Sequence, residues 1–160
     1  MGAYPYFPVF IDLSKKRLLV IGAGRIASRR VRVLSDFTDG ITVIAPKIHP
    51  ELVKLEASGK IRILRKEYED TDLQGADLVL AATDSAGVND RICEACRDLG
   101  IPVNVCSDRK KCDFFFPGIV RKEQVVVGVS AGGEDHREAK RITEAIRETL
   151  KSEDERKSHH

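Results

Sequence analysis

Nowhere in the 160 residues does an apolar run approach the roughly 20 residues that a bilayer-spanning helix needs. The start, Met1-Gly2-Ala3-Tyr4-Pro5-Tyr6-Phe7-Pro8-Val9-Phe10, lacks the basic region and small-residue cleavage site of a signal peptide. With neither feature, a cytoplasmic protein is expected. Charge of one sign is also missing: a net charge of +2 is too small to grip nucleic acid or a membrane surface. Cysteine is scarce, with four in all, and in a reducing compartment these read as thiols rather than disulfides. No internal repeat is visible, which removes solenoid architectures.

What remains is a soluble, globular composition, 42% hydrophobic and 32% charged, long enough for one ordinary domain with a core. The terminal pair His159-His160 reads as a tag remnant.

The chain is organised around Leu18-Leu19-Val20-Ile21-Gly22-Ala23-Gly24-Arg25-Ile26-Ala27. An apolar strand runs into Gly22-x-Gly24-x-x-Ala27, and a helical segment follows. In a dinucleotide-binding βαβ unit the first glycine permits the tight turn. The second lets a pyrophosphate approach the backbone, and the third small residue lets helix and strand pack closely. The helix N-terminus then faces the phosphates.

Further strands are expected at 41–45, 61–64, 77–82 and 101–105, with helices at 25–35, 49–58 and 89–99; Gly100 is placed to cap the last. Residues 4–13 read as a short edge strand, Arg29, Arg30 and Arg32 as a solvated helix face, and 72–75 as a polar connection. Strand–helix alternation over residues 17–105 implies an α/β fold, a Rossmann-type doubly wound parallel sheet. Such sheets bind cofactors beyond the carboxyl ends of their strands. That places Gly22, Gly24, Arg25, Ile26, Pro46, Lys47, Thr83, Asp84 and Asn104 to Asp108 on one rim.

After residue 112 the pattern changes. Asp113 to Val120 and Gln124 to Ser130 read as two strands joined by the polar Arg121-Lys122-Glu123. Ala131-Gly132-Gly133 breaks the chain. An amphipathic helix over 135–150 carries Ala139, Ile142, Ile146 and Leu150 on one face. Residues 1–112 therefore form a dinucleotide-binding domain, 113–150 a small strand-plus-helix region, and 151–160 a frayed charged tail. Phe114-Phe115-Phe116 and Val125-Val126-Val127 are apolar in consecutive positions. Both faces of these strands need cover, and pairing with a second copy supplies it, so a homodimer through 113–150 is expected.

Several motifs occur in one order: Tyr6-Phe7-Pro8-Val9-Phe10-Ile11-Asp12-Leu13, the glycine turn, Ala81-Ala82-Thr83-Asp84 with Asn89, Asn104-Val105 before Phe114-x-x-Pro117, and Val129-Ser130-Ala131-Gly132-Gly133. Together, over roughly residues 5–150, they resemble the precorrin-2 dehydrogenase family, which includes the N-terminal module of siroheme synthase. The resemblance implies NAD-dependent oxidation of precorrin-2 to sirohydrochlorin, with Fe²⁺ insertion in some members. It also implies an interwoven dimer and a tetrapyrrole substrate site between domains. Arg25, Ile26, Pro46 and Lys47 are carried over as cofactor contacts, joining Gly22, Gly24, Thr83, Asp84 and Asn104 of the rim as the expected cofactor site.

Three departures stand out. The family places a catalytic aspartate three residues after the asparagine of its Asn-Val motif; here that residue is Ser107, with Asp108 next. Asp108 takes over the carboxylate role, or Ser107 serves as a hydrogen-bonding group, or dehydrogenase activity is lost. Next, the second strand ends in Ala45-Pro46-Lys47, where an NAD site usually carries an acid. Family resemblance favours NAD, while Lys47 would suit the 2′-phosphate of NADP. Lastly, the family's further helical region beyond residue 150 is missing, which bears on any chelatase step.

Cys93-x-x-Cys96, Cys106 and Cys112 have spacing reminiscent of zinc or iron–sulfur ligands. Cys93 and Cys96 read instead as small hydrophobes on a buried helix face, Cys112 abuts the phenylalanine run, and no metal site is expected. Two rival functions remain: a tetrapyrrole-binding or chelatase subunit without dehydrogenase activity, and a nucleotide-sensing Rossmann module.

Overall fold

The computed structural model describes residues 4–132 and 135–157; Gly133 of the expected chain break and the His159-His160 pair lie outside that range. The chain divides into two compact units, one of Ile11–Phe114 and one of Met1–Phe10 with Phe115–His160.

In the larger unit, β1 (Leu18–Ile21), β2 (Ile41–Ile44), β3 (Arg62–Leu64), β4 (Leu78–Ala81) and β5 (Val103–Val105) form one parallel sheet in the order β3-β2-β1-β4-β5. Helices α1 (Arg25–Leu34), α2 (Pro50–Ala57) and α3 (Ala86–Leu99) connect them. The registers are regular, Leu18 opposite both Ile41 and Leu78, and Val20 opposite both Val43 and Leu80. All four residues of β1 and of β4 are buried, as strands covered on both faces require.

Alternation along the strands sends Leu19, Ile21, Ile44, Val79, Ala81, Val103 and Val105 into one core with Ile92, Cys93 and Cys96 of α3. Ala27, Val31 and Leu34 of α1 are buried, and α1 packs against β1 and α2. Ser85 caps α3, accepting from Val88 N–H at 3.3 Å, so the helix starts three residues before the expected Asn89. Gly100, at φ 68°, ends it in the left-handed conformation.

Two expectations in this unit change. The 72–75 connection overlaps a 3₁₀ turn, Asp70–Leu73, whose Leu73 is fully buried and plugs the core where a doubly wound fold often carries a helix. Arg30 is half-buried, not on the solvated face with Arg29 and Arg32, because its guanidinium reaches across to β5.

In the smaller unit, β6 (Gly118–Lys122) and β7 (Val125–Val129) form an antiparallel hairpin, with Gly118 opposite Val129 and Lys122 opposite Val125. Arg121 and Lys122 belong to the strand. The turn sits at Glu123, which adopts φ 52°. Phe114, Phe115 and Phe116 are not strand residues; they form an irregular, half-buried approach to Pro117, whose missing N–H cannot serve a ladder. Residues 4–13 are likewise not a strand, since Pro5 and Pro8 interrupt pairing. Tyr6 instead stacks on Phe115, ring centroids 4.2 Å apart.

Helix α4 (His136–Lys157) continues into the expected frayed tail as far as Lys157, supported by i,i+3 pairs such as Glu144–Arg147 and Glu148–Lys151. Ala139, Ile146 and Leu150 are half-buried on its inward face as expected, but Ile142 is not. Thr143 is buried at 5% exposure and Ile142 is 37% exposed. Gly118 explains the choice: a Cβ there would run into the Thr143 hydroxyl and lie 3.3 Å from Thr143 Cβ. The bare glycine lets the helix close on β6, and Thr143 satisfies its hydroxyl on Ala139 C=O at 2.6 Å.

Candidate functional site

The strand order reverses between β1 and β4. A doubly wound sheet opens a crevice at that point, beyond its carboxyl ends. The turn from β1 into α1 stands there. Gly22 adopts φ 107°, and a Cβ on it would lie 2.5 Å from the Ala82 carbonyl carbon and 2.8 Å from Thr83 N. No side chain fits between these two loops, so the backbone of the β1 turn lies directly against the backbone leaving β4.

Gly24 is different. Its φ of −84° is open to any residue, and nothing stands within 4 Å of where a Cβ would be. The space beside it is open. Gly24 is also the N-cap of α1, with no side-chain cap and no acid in the first turn. The N–H groups of the first turn therefore have no intrahelical acceptor, and the positive end of the helix dipole faces the crevice. Arg25 and Ile26 are exposed there. An enclosed first glycine, an open second one and an uncapped helix start are the features that a pyrophosphate requires. The residues present fit a dinucleotide.

Beyond β2, Ala45 is buried while Pro46 and Lys47 are exposed. This loop is tied to the glycine turn by a bond that the sequence reading did not single out: His49 N–H donates to Ala23 C=O at 3.0 Å. His49 also caps α2, its Nδ1 accepting from Glu51 N–H at 3.3 Å, and Pro50 suits the first helical position. Ser28 of α1, 1% exposed, donates to Glu51 at 2.9 Å. The start of α2 is thus anchored to α1, whose N-terminus faces the crevice.

Thr83 is half-buried and Asp84 exposed at the end of β4. Thr83 is held by Asn89, 1% exposed, whose Oδ1 accepts from Thr83 N–H at 3.1 Å and from Thr83 Oγ1 at 2.6 Å. Asn104 is 3% exposed. Its amide donates to Phe114 C=O at 2.8 Å, and its Oδ1 accepts from Arg30. Both ends of this side chain are engaged in closing β5 onto the following loop and onto α1. Arg30 also donates to Cys106 Sγ at 2.9 Å. Its position in an arginine run hid this role, since periodicity does not show which arginine turns inward.

Ser107 and Asp108 follow β5. Ser107 is exposed, its Oγ accepting from Asn89 Nδ2 at 3.3 Å. Asp108 is half-exposed and caps a 3₁₀ turn, Arg109–Lys111, accepting from Lys110 N–H at 3.0 Å. Its second oxygen faces Lys111 Nζ at 3.8 Å, while the same ammonium lies 2.5 Å from Asp90 of α3.

The four cysteines are free. Cys93 and Cys96 are buried in the α3 core. Burial pushes the Cys96 thiol up to about 12. Burial also raises the Cys106 thiol, against the opposing effect of Arg30, and raises that of Cys112. Among the described residues no group of three or more His, Cys, Asp or Glu side chains is placed to hold a metal ion. Nor is any helix among them long and apolar enough to cross a membrane.

Sheet order, glycine turn and uncapped helix together define a dinucleotide-binding Rossmann protein. Residues 9–118 match the family model described as "Putative NAD(P)-binding", and the chain belongs to that NAD(P)-binding family. It is 42% identical over 126 residues to siroheme synthase of Methylobacillus flagellatus, covering 79% of this chain and 27% of that protein. It is 34% identical over 145 residues to siroheme synthase of Saccharophagus degradans, covering 91% of this chain and 32% of that protein. The chain thus spans about a third or less of the length of these curated relatives. Among solved structures it matches SirC, a precorrin-2 dehydrogenase, with a TM-score of 0.74 and 27% identity over 90% of this chain and 71% of that one. The resemblance drawn from the ordered motifs is thereby met in sequence and in fold.

Proposed function

We propose that this chain oxidises precorrin-2 to sirohydrochlorin with NAD⁺, in siroheme formation. The observation that carries the reading is the switch-point crevice. A dinucleotide turn and the loop bearing Ser107 and Asp108 open at the carboxyl end of the same sheet. The similarity to siroheme synthases and to SirC supports the substrate. When bound, the cofactor supplies a hydride acceptor, and the oxidation also releases a proton.

The chain's own residues do the rest. The α1 N-terminus and the bare Gly24 seat the pyrophosphate. The Gly22–Ala82 contact fixes the crevice width. Asp108 accepts the proton, its carboxylate aimed by Lys110 N–H. Lys47 beside the ribose end leaves room for NADP as an alternative. Iron insertion into the product macrocycle is a further activity of this reading.

A homodimer through β6, β7 and α4 completes the proposal. Val125 is 57% exposed and Ile142 37% exposed, and a lone two-stranded hairpin is marginal in water. The free thiols suit the cytoplasm.

The test is incubation of the purified chain with precorrin-2 and NAD⁺, following sirohydrochlorin absorbance. Turnover that falls at least ten-fold in Asp108→Asn, with NAD⁺ affinity unchanged, is the expected result. NAD⁺ binding without any oxidation points to a carrier or chelatase subunit. Full turnover in Asp108→Asn with loss in Ser107→Ala transfers the chemical role to Ser107.

A further inference from the structure

Asn89 is almost completely buried, yet its side chain serves two loops rather than its own helix. Oδ1 accepts both from Thr83 N–H and from the Thr83 hydroxyl, at 3.1 and 2.6 Å. Nδ2 donates to Thr83 C=O at 3.1 Å and to Ser107 Oγ at 3.3 Å. A buried amide with every polar atom engaged holds its partners in one arrangement. Here the partners are the loop after β4 and the loop after β5, the two that flank the far side of the crevice from β2.

The direction of the last bond matters. Asn89 is the donor and Ser107 Oγ the acceptor, so the hydroxyl proton is not used in that contact. Ser107 is exposed, and among the described residues no acceptor for its proton is found. Its neighbour differs: the Asp108 carboxylate is already committed to Lys110 N–H and faces Lys111. The arrangement presents one oriented donor to whatever occupies the crevice beyond β5.

Topology says which part of a dinucleotide lies there. The pyrophosphate belongs at the β1–α1 turn. The adenosine ribose is read at the end of β2, about 20 residues on. The second nucleoside then lies over β4 and β5. Its base carries a carboxamide whose oxygen accepts a hydrogen bond.

We infer that Ser107, oriented by Asn89, donates to the carboxamide of the nicotinamide end of the bound dinucleotide, with Asn89 as the positioning residue. The inference rests on the cofactor reading above and assigns Ser107 to ring placement, leaving the proton to Asp108.

Calorimetry with two ligands tests it without turnover. NAD⁺ and ADP-ribose share the adenosine, the pyrophosphate and the second ribose; only NAD⁺ carries the carboxamide. Ser107→Ala raises the Kd for NAD⁺ about three- to ten-fold, the worth of one hydrogen bond, and leaves ADP-ribose unchanged. Ser107→Thr, which keeps the hydroxyl, restores NAD⁺ affinity. Asn89→Ala gives the same NAD⁺-selective loss if its melting curve shows it folded; if it does not fold, Ser107→Ala decides alone. Equal weakening of both ligands, or an unchanged Kd for NAD⁺, overturns the inference. A wild-type chain that binds neither ligand overturns the cofactor reading itself.

Discussion

Gly22 and Gly24 are two residues apart in one motif, and substitutions at the two sites should fail in opposite ways. Gly22→Ala puts a Cβ 2.5 Å from the Ala82 carbonyl carbon and 2.8 Å from Thr83 N, at φ 107°. Both neighbours are backbone, Ala82 tied just past β4 by its N–H on Ile21 C=O and Thr83 by its N–H on Asn89 Oδ1, so neither rotates away. The positive φ costs a side chain about 1–2 kcal/mol, and forced overpacking adds about 1–3 kcal/mol. A loss of about 2–5 kcal/mol lowers Tm by about 5–15 °C in a chain of this length. Gly24→Asp meets open space at an ordinary φ of −84°. An aspartate is a good N-cap and its charge suits the helix start. The apo protein should therefore gain about 0.3–1 kcal/mol rather than lose stability. The same charge faces the pyrophosphate, and like-charge contact of a few kcal/mol weakens NAD⁺ binding about 100-fold or more. Thermal melts by circular dichroism without ligand, then calorimetry with NAD⁺, separate the two effects. A Gly24→Asp protein with wild-type NAD⁺ affinity, or a Gly22→Ala protein that melts with the wild type, would refute the reasoning.

The remaining predictions concern cofactor choice, assembly and pH. Lys47→Glu should shift the ratio of NADP⁺ to NAD⁺ affinity about ten-fold toward NAD⁺ by setting an acid at the ribose end; an unchanged ratio places Lys47 away from that ribose. Light scattering at micromolar concentration should return twice the 17.8 kDa chain mass, and Val126→Asp should yield folded monomer. A wild-type mass of one chain removes the dimer. Cys96, held protonated by burial up to about 12, should resist thiol reagents at pH 8 in the native protein and react on denaturation. Because its folded value lies above the roughly 8.5 of a free thiol, the unfolded chain gives up that proton first. The stability from this group is complete below about pH 8.5 and declines as pH rises towards 12. Urea titrations showing no loss between pH 8 and 11 would contradict that sign.

Hydrophobic order along the chain was enough to lay out the parallel sheet. Continuous apolar strands such as Leu18–Ile21 and Leu78–Ala81 need cover on both faces, and that demand is written in consecutive residues. The glycine turn was legible for the same reason: backbone conformation at Gly22 and the bare approach at Gly24 are local requirements. The cap at Gly100 follows the same rule.

Contacts between residues far apart in sequence were decided only by the tertiary structure. Arg30 looked like its neighbours Arg29 and Arg32 until β5 stood 74 positions along the chain to receive it, at Asn104. Asn89 became a clamp because the β4 and β5 loops converge on the start of α3, where its side chain accepts from Thr83 and donates to Ser107 Oγ. Thr143, not Ile142, turned inward because Gly118 left room for it. The aromatic start and the phenylalanine run failed as strands because their prolines withhold donors from any ladder, and the ring stack of Tyr6 on Phe115 depends on residues more than a hundred positions apart. Periodicity reports which face of an element is apolar. Which polar side chain meets which loop depends on three-dimensional distance, and that exists only once the sheet has closed.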